Sequence, residues 1–209
     1  NDSSSSGYYD VAMSNEGKRS VAWSTTVPSG GQGKILLQRY DVSGNTDGNV
    51  LTIKASGEVH RPSITYLENN HLALTFFEFN STTGTRDTHL NIIDDYGFVV
   101  HSSVVNEGAV AGDYINPEVT DLGNSEFMVQ WTYNQNHPQT LATGSYAQLY
   151  NYEGTKKGMA FTVSDTNSGS AAINRALKID NSKFIMPTIK NSNDLAFQIY
   201  DKNVQAHVL

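Results

Sequence analysis

The sequence predicts an all-β protein, a β-propeller of four repeats that each form a four-stranded antiparallel blade. Alternating apolar runs recur about every 50 to 57 residues, a spacing typical of propeller blades. These runs end at Trp23, Phe76, Trp131 and Thr188. A preceding strand starts 14 residues before each of these positions, at Tyr9, Pro62, Pro117 and Asn174. Because alternation with a period of two is the signature of strands, the constant offset predicts one strand pair per repeat.

A third strand and a tight turn also recur in each copy. The third strands lie at 38–41, 91–94, 148–151 and 198–201. Three residues after the closing Asp or Asn comes Gly44, Gly97 or Gly154, whereas the fourth copy has Val204. An Asp or Asn side chain can bond its own downstream backbone, and glycine accepts a positive φ. This spacing predicts a hairpin into a fourth strand, at 50–53, 98–102, 159–163 and 205–209.

Taken in order, the chain begins with a flexible polar segment, residues 1–7, and continues as one propeller over 8–209. The predicted blades span about 8–59, 60–113, 114–171 and 172–209. An amide or related polar side chain recurs once per blade, at Gln38, Asn91, Gln148 and Gln198. Because it follows the repeat, we expect a structural role, bridging blades or backbone groups.

The third copy carries a longer pattern, which resembles the repeat of a known family. Its residues are Pro117, Val119, Leu122, Phe127, Val129, Trp131, Ala147, Gln148, Tyr150, Asn151, Gly154 and Gly158. The pattern resembles β-propeller blade repeats of large secreted and cell-surface proteins, as in bacterial adhesins and ciliate surface proteins. Copy two departs from it at Phe76 and Ile93, and copy four lacks both the tryptophan and the closing glycine. The resemblance implies a fold and no catalytic residues.

Composition excludes several classes of protein. The net charge is −7, and no basic stripe is present, so we expect no nucleic-acid partner. No apolar run approaches the ~20 residues that span a bilayer, so we expect no direct membrane insertion. There is no cysteine. A chain of 209 residues is long enough to form a core without disulfides.

Three groups of residues are candidate sites, and none is catalytic. Aromatic and amide side chains after the second strand of blade three suit sugar recognition: Tyr133, Asn134, Gln135 and His137. An oxygen-rich loop suggests a calcium site, and no other cofactor is expected. The loop lacks the distal glutamate of an EF-hand, and its candidate ligands are Asp41, Asn45, Asp47 and Asn49. Asn80 begins an Asn-Ser-Thr sequon in what we expect to be a long loop, a candidate for glycosylation. The histidines lack metal-ligand spacing, so we expect no histidine metal site.

The favoured function is a non-enzymatic extracellular adhesion or scaffold module. We expect the chain to be a segment of a larger surface protein or filament. A more specific form of this hypothesis is that the module binds glycans. Its partners would be proteins or glycans at the cell surface. The alternative is a glycan-active enzyme, a glycoside hydrolase or lyase, which needs two carboxylates about 5 to 10 Å apart. The acids on or near strands that could supply them are Asp10, Glu78, Glu118 and Asp121. Carboxylates converging at the central channel would favour the enzyme.

Assembly is left open by the sequence. Four blades could close a ring, or the chain could be part of a larger ring completed by a second copy or by a continuation of the same chain. An open ring would leave faces or strand edges that proteins normally cover.

Overall fold

The computed structural model describes residues 6–25, 33–55, 58–106, 112–134, 143–164, 175–190 and 194–202. These residues form fifteen strands in four antiparallel sheets. No helix in this part of the chain is long and apolar enough to cross a membrane. The all-β propeller predicted from the repeats is confirmed, since each sheet corresponds to one repeat.

Each blade is a meander in which consecutive strands are neighbours. Blade one contains β1 (Ser6–Met13), β2 (Arg19–Thr25), β3 (Lys34–Tyr40) and β4 (Leu51–Ala55). Blade two contains β5 (Val59–Tyr66), β6 (Leu72–Asn80), β7 (Thr85–Ile93) and β8 (Val99–Val104). Blade three contains β9 (Asp113–Gly123), β10 (Glu126–Asn134), β11 (Thr143–Asn151) and β12 (Lys156–Ser164). Blade four contains β13 (Leu177–Lys178), β14 (Lys183–Lys190) and β15 (Asp194–Asp201), and its predicted fourth strand lies outside the described residues.

The predicted hairpins between third and fourth strands are confirmed in the first three blades. In blade one, the Asp41 carboxylate accepts hydrogen bonds from the backbone N–H groups of Ser43 and Asn45, at 2.9 and 2.8 Å. Asp94 and Asn151 accept corresponding bonds in blades two and three. The closing glycines have φ of +86°, +92° and +87° at Gly44, Gly97 and Gly154. The repeated spacing therefore predicts the turn because both chemical requirements recur with it.

In blades one and three, the recurring amide bonds the backbone of its own blade. Gln148 donates through Nε2 to the carbonyl oxygens of Leu149 and Lys157, at 2.9 and 3.0 Å. Gln38 makes the same pair of bonds, to Arg39 and Gly48. In β11 this residue lies where the pairing with β12 shifts register. The amide thus satisfies carbonyl groups at an irregularity of the sheet, a structural role as expected.

Three hydrophobic cores lie between successive blades. Ala22, Ile35 and Leu37 of blade one pack with Ile64, Leu74 and Phe76 of blade two. The opposite face of blade two packs against blade three through residues that include Ala73, Leu90, Val119 and Trp131. Blade three in turn packs against blade four through residues that include Met128, Ala147, Phe184 and Met186. Because each sheet is apolar on both faces, blades stack side by side around an axis.

Candidate active site at the propeller axis

Each blade places one polar side chain at the same position of its inner strand or of the segment that leads into it. This position is one residue after the repeat start, and its four occupants are Asp10, Ser63, Glu118 and Arg175. Asp10 lies on β1, Ser63 on β5 and Glu118 on β9, whereas Arg175 lies two residues before β13. Because the inner strands surround the axis, one repeat position brings four side chains from distant parts of the chain together.

The four side chains form a connected network. Arg175 donates through Nη2 to Asp10 Oδ2 and, at 3.0 Å, to the Ser63 hydroxyl. Its Nε lies 3.3 Å from Glu118 Oε2. The Ser63 hydroxyl donates to the same Glu118 oxygen at 3.0 Å. One guanidinium therefore contacts both carboxylates, and one hydroxyl links it to the second.

Backbone groups hold two members of this network in place. Asp10 Oδ2 accepts a bond from the N–H of Ile64, on the next blade, at 2.8 Å. Asp10 Oδ1 accepts another from the N–H of Val11 at 2.9 Å. The N–H of Val119 donates to the Ser63 hydroxyl at 3.2 Å. Since Ile64 and Val119 are buried between blades, their N–H groups give Asp10 and Ser63 a defined orientation.

The inner strands are irregular just before the axial side chains. Arg61 and Asn116 have positive φ, +52° and +53°, although each precedes a proline and neither is glycine. The pairing of β5 with β6, and of β9 with β10, shifts register at these places. Such bulges re-aim side chains, and strained backbone of this kind is concentrated at functional sites. A register shift also precedes Asp10 in β1, so the irregularity recurs with the repeat just before the axial side chains.

Burial raises the pKa of the Glu118 carboxyl above its ordinary value. The Arg175 guanidinium and the Ser63 hydroxyl act in the opposite direction, and the charge of Asp10 adds to the rise. The site thus combines Glu118, which retains its proton to a higher pH than usual, with Asp10, which accepts bonds from two backbone N–H groups. Two carboxyl groups with different environments are the arrangement that allows one to act as an acid and the other as a base.

The other two acids considered from the sequence lie away from the axis. Glu78 contacts Lys54 Nζ and His89 Nε2, both at 3.1 Å, between blades one and two. Burial lowers the pKa of His89, which stacks on Phe76. Asp121 accepts a 2.6 Å bond from the Tyr152 hydroxyl near the hairpin of blade three. Of the four acids, the structure brings together Asp10 and Glu118.

The predicted sugar-binding residues are partly outside the described structure. Gln135 and His137 lie outside the described residues. Tyr133 and Asn134 are the last residues of β10, not part of a loop as expected. Tyr133 is buried and its ring lies 5.1 Å from that of Tyr114. Ligand binding at these four residues stays a prediction.

The predicted calcium ligands have protein partners in blade one. Asp41 accepts the turn bonds described above and a 3.1 Å bond from the Asn45 side chain. Asp47 pairs with Arg39 at 3.2 Å. Asn49 follows in the exposed segment before β4. No group of three or more His, Cys, Asp or Glu able to hold a metal occurs among the described residues. Calcium binding by Asp41, Asn45, Asp47 and Asn49 stays a prediction.

Asn80 lies at the end of β6 and not in a long loop, since the hairpin to β7 has only four residues, 81–84. Its side-chain oxygen accepts bonds from the N–H groups of Thr82 and Thr83, at 3.0 and 3.3 Å. Its amide nitrogen donates to Asp87 at 3.2 Å. A glycan on this nitrogen would replace the bond to Asp87. Glycosylation of Asn80 stays a prediction.

Sequence reasoning missed Ser63 and Arg175. A serine and an arginine attract no attention singly in a chain rich in polar residues. The signal that could have found them is the repeat itself, because both follow the same strand start as Asp10 and Glu118. A repeat position that keeps one polar side chain in every copy but changes its chemistry is a candidate for an axial site.

No protein-family model matches this chain, and no curated protein matches it. Solved structures match its fold. An α-L-arabinanase from Penicillium chrysogenum, complexed with arabinobiose, matches with a TM-score of 0.57 and 13% identity, over 93% of this chain and 61% of that chain. The GH93 α-L-arabinofuranosidase of Fusarium graminearum, also with arabinobiose, matches with 0.56 and 10%, over 93% and 61%. The endo-arabinase from Bacteroides thetaiotaomicron VPI-5482 matches with 0.52 and 12%, over 94% and 75%.

The chain spans about three fifths of the length of the first two of these structures. At such identities the likeness establishes the fold, and function depends on the site. These structures agree with the repeat architecture that the resemblance to blades of surface proteins implies. They give no support for adhesion.

The expectation of a non-enzymatic adhesion or scaffold module is wrong, and so is the expectation that the chain is not an enzyme. The three propellers described above are named as an arabinanase, an arabinofuranosidase and an endo-arabinase. The comparisons favour the alternative, a glycan-active enzyme on a propeller scaffold. The physical reason for the error is that the axial carboxylates are distant in sequence and form no local motif.

Proposed function

We propose that this protein is a glycoside hydrolase that acts at the propeller axis, with Asp10 and Glu118 as its two carboxyl groups. The observation that carries the proposal is that both carboxyl groups contact the Arg175 guanidinium. Oxygens that contact two nitrogens of one guanidinium are less than about 10 Å apart, so the separation does not exceed the upper limit for glycoside hydrolysis. The side chains of both remain partly exposed, at 22% and 32%.

The two carboxyl groups have different proposed roles. Glu118 is the general acid, because burial raises its pKa and a protonated carboxyl can protonate the leaving oxygen. Asp10 is the second carboxyl group of the proposed mechanism, because it contacts Arg175 and two backbone N–H groups hold it in place. Arg175 is a positioning residue that holds both carboxyl groups in the resting site.

Arabinose-containing glycans are the proposed substrate class. Two of the matching propellers were solved with arabinobiose, and all three are described as arabinan-degrading or arabinofuranose-releasing enzymes by name. An extracellular location fits this proposal, because polymeric glycans do not enter cells intact. Secretion is tested by looking for the protein in the medium of the cells that produce it.

The test compares sugar release by full-length protein and three single variants, on arabinan, arabinobiose and a panel of other polysaccharides. Asp10→Asn and Glu118→Gln remove one carboxylate each, and we expect each to lower the rate by roughly 10²- to 10⁴-fold. Glu126→Gln is the matched control, since Glu126 lies on β10 and pairs with Lys157. We expect its rate to equal that of the parent protein.

The folded state of each variant is checked by circular dichroism. Full activity in a folded Asp10→Asn or Glu118→Gln variant would remove that residue from the mechanism. If the parent protein acts on another polysaccharide and both variants lose that activity, the proposed site is supported and the proposed substrate is wrong.

A further inference from the structure

Equivalent positions of the repeat differ sharply in exposure between the first blade and the others. We call the face of a blade that points toward the preceding blade its leading face, defined by Ile64, Val119 and Ala176 in blades two, three and four. These residues are 0%, 0% and 1% exposed, in the three cores between blades. The same position in blade one is Val11, which is 56% exposed. The leading face of blade one is therefore built for packing and has no partner among the described residues.

The opposite face of the last blade has the complementary property. We call the face toward the following blade the trailing face, defined by Leu37, Leu90 and Ala147 in blades one, two and three. All three are 0% exposed. The equivalent residue of blade four is Phe197, which is 62% exposed. A phenylalanine left in water where the other copies bury an apolar side chain indicates an interface that is not occupied here.

Neighbouring side chains extend both faces. Tyr9 and Met13 lie on the same side of β1 as Val11 and are 74% and 67% exposed, since alternate residues share a face. On blade four, Leu177 and Ile199 are 62% and 52% exposed, and both pair across the sheet with Ile185. Each face is thus a continuous apolar surface and not a single exposed residue.

The opening between these two faces is narrow at the axis. Arg175 of blade four contacts Asp10 of blade one directly, so one side chain bridges the two ends of the array there. A second array of four blades would need the ends to lie far apart. Two apolar faces whose inner ends are one side chain apart suit a single inserted blade better than a second array.

We propose that a fifth antiparallel blade occupies this opening, that both of its faces are apolar, and that it belongs to the same polypeptide, outside these 209 residues. Two arguments support the same polypeptide as its source. The new interfaces would continue the series of three cores already present in the chain. The chain also spans only 61% to 75% of the matching propellers, which leaves those folds with more structure than is described here. This proposal does not depend on the proposed function.

The four methionines of the chain provide the test, because oxidation of methionine by peroxide follows exposure. Met13 lies on the leading face of blade one and is 67% exposed, whereas Met159 lies on the outer strand of blade three and is 78% exposed. Met128 and Met186 are fully buried and serve as unreactive controls. Oxidation is followed by peptide mass spectrometry in the recombinant 209-residue chain and in the protein isolated from the cells that produce it.

We expect the recombinant chain to be a monomer of 22.9 kDa by light scattering, with Met13 and Met159 oxidised at similar rates. In the isolated protein, whose polypeptide would be longer, Met13 should react about ten-fold more slowly while Met159 is unchanged. Equal reactivity of Met13 in both samples would overturn the fifth blade. Protection of Met13 in a recombinant dimer would assign the face to a second copy. Protection in an isolated polypeptide of only 209 residues would assign it to a separate protein, and either result would overturn the proposal.

Discussion

At the scale of single residues, the axial network depends on one hydroxyl. Ser63 uses its full hydrogen-bonding capacity, since it donates to Glu118 and accepts from Arg175 and the Val119 N–H. Because its side chain is almost completely buried, water cannot replace these bonds. The network is therefore sensitive to the loss of one oxygen atom.

Replacing Ser63 with alanine should destabilise the protein by about 1 to 3 kcal/mol, because the Val119 N–H is left buried without its partner. Urea unfolding measures the change. Ser43→Ala, in the exposed turn of blade one, is the control and should change stability by less than about 0.5 kcal/mol. Equal effects of the two substitutions would contradict the role given to the Ser63 hydroxyl.

The pH dependence of stability should report on Glu118. Its pKa is higher in the folded protein than the ordinary value of 4.5. Stability therefore falls as the pH rises from about 4.5 through the folded pKa, because the buried carboxyl group then ionises. Glu118→Gln carries no charge and should have a higher Tm than the parent protein at neutral pH. The difference should shrink as the pH falls through the folded pKa and vanish near 4.5. A variant that is less stable at neutral pH would mean that the pair with Arg175 outweighs burial.

At the scale of elements, the hairpins are the part of the structure that the sequence predicts best. Their chemistry is local, since an Asp or Asn and a glycine three residues later suffice to form the turn. The expected loops after β6 and β10 were too long for the opposite reason. Asn80, Tyr133 and Asn134 are polar enough to suggest a loop, but strand pairing and contacts with Asp87 and Tyr114 include them in the sheet.

Two glycines with positive φ should respond differently to alanine. At Gly154, with φ of +87°, a Cβ would lie 2.5 Å from Cδ2 of His101 on blade two. At Gly48, with φ of +78°, no heavy atom lies within 4 Å of the added carbon. Both substitutions carry the cost of about 1 to 2 kcal/mol for a left-handed residue. Thermal unfolding should show that Gly154→Ala costs more.

The contact with His101 can be separated from the backbone effect by a double-mutant cycle. Adding His101→Ala to Gly154→Ala should recover the extra loss of stability, while the same addition to Gly48→Ala should recover nothing. Recovery in both backgrounds would show that His101 itself is strained and that blade packing is not the cause.

At the scale of the whole molecule, the repeats predict the fold but not the site. Apolar alternation recurs in every copy, so four blades follow from the sequence. Which residues meet at the axis depends on the curvature of the array, and curvature has no local signature. Asp10 and Arg175, which are 165 residues apart, are brought together only by the ring.

Two equivalent valines should distinguish a packed blade face from an open one. Val119→Ala removes two methyl groups from a core between blades and should cost roughly 2 to 3 kcal/mol. Val11→Ala, at the same repeat position in blade one, should cost less than about 0.5 kcal/mol in the 209-residue chain. Chemical denaturation of both variants is the measurement. A large cost at Val11 would mean that its face is covered in this chain.

The contact between Arg175 and Asp10 also has a consequence for the order of folding. Each blade is a contiguous meander whose strands pair with their chain neighbours. Its contacts therefore join residues close in sequence, and forming them costs little loop-closure entropy. The arginine contact joins the two ends of the array, and its partners are 165 residues apart in the chain. Blades can therefore form in succession, as the chain leaves the ribosome, and the axial carboxyl groups acquire their cation only at the end. In this arrangement the axial network is assembled last, after the three blades that precede Arg175 in the chain.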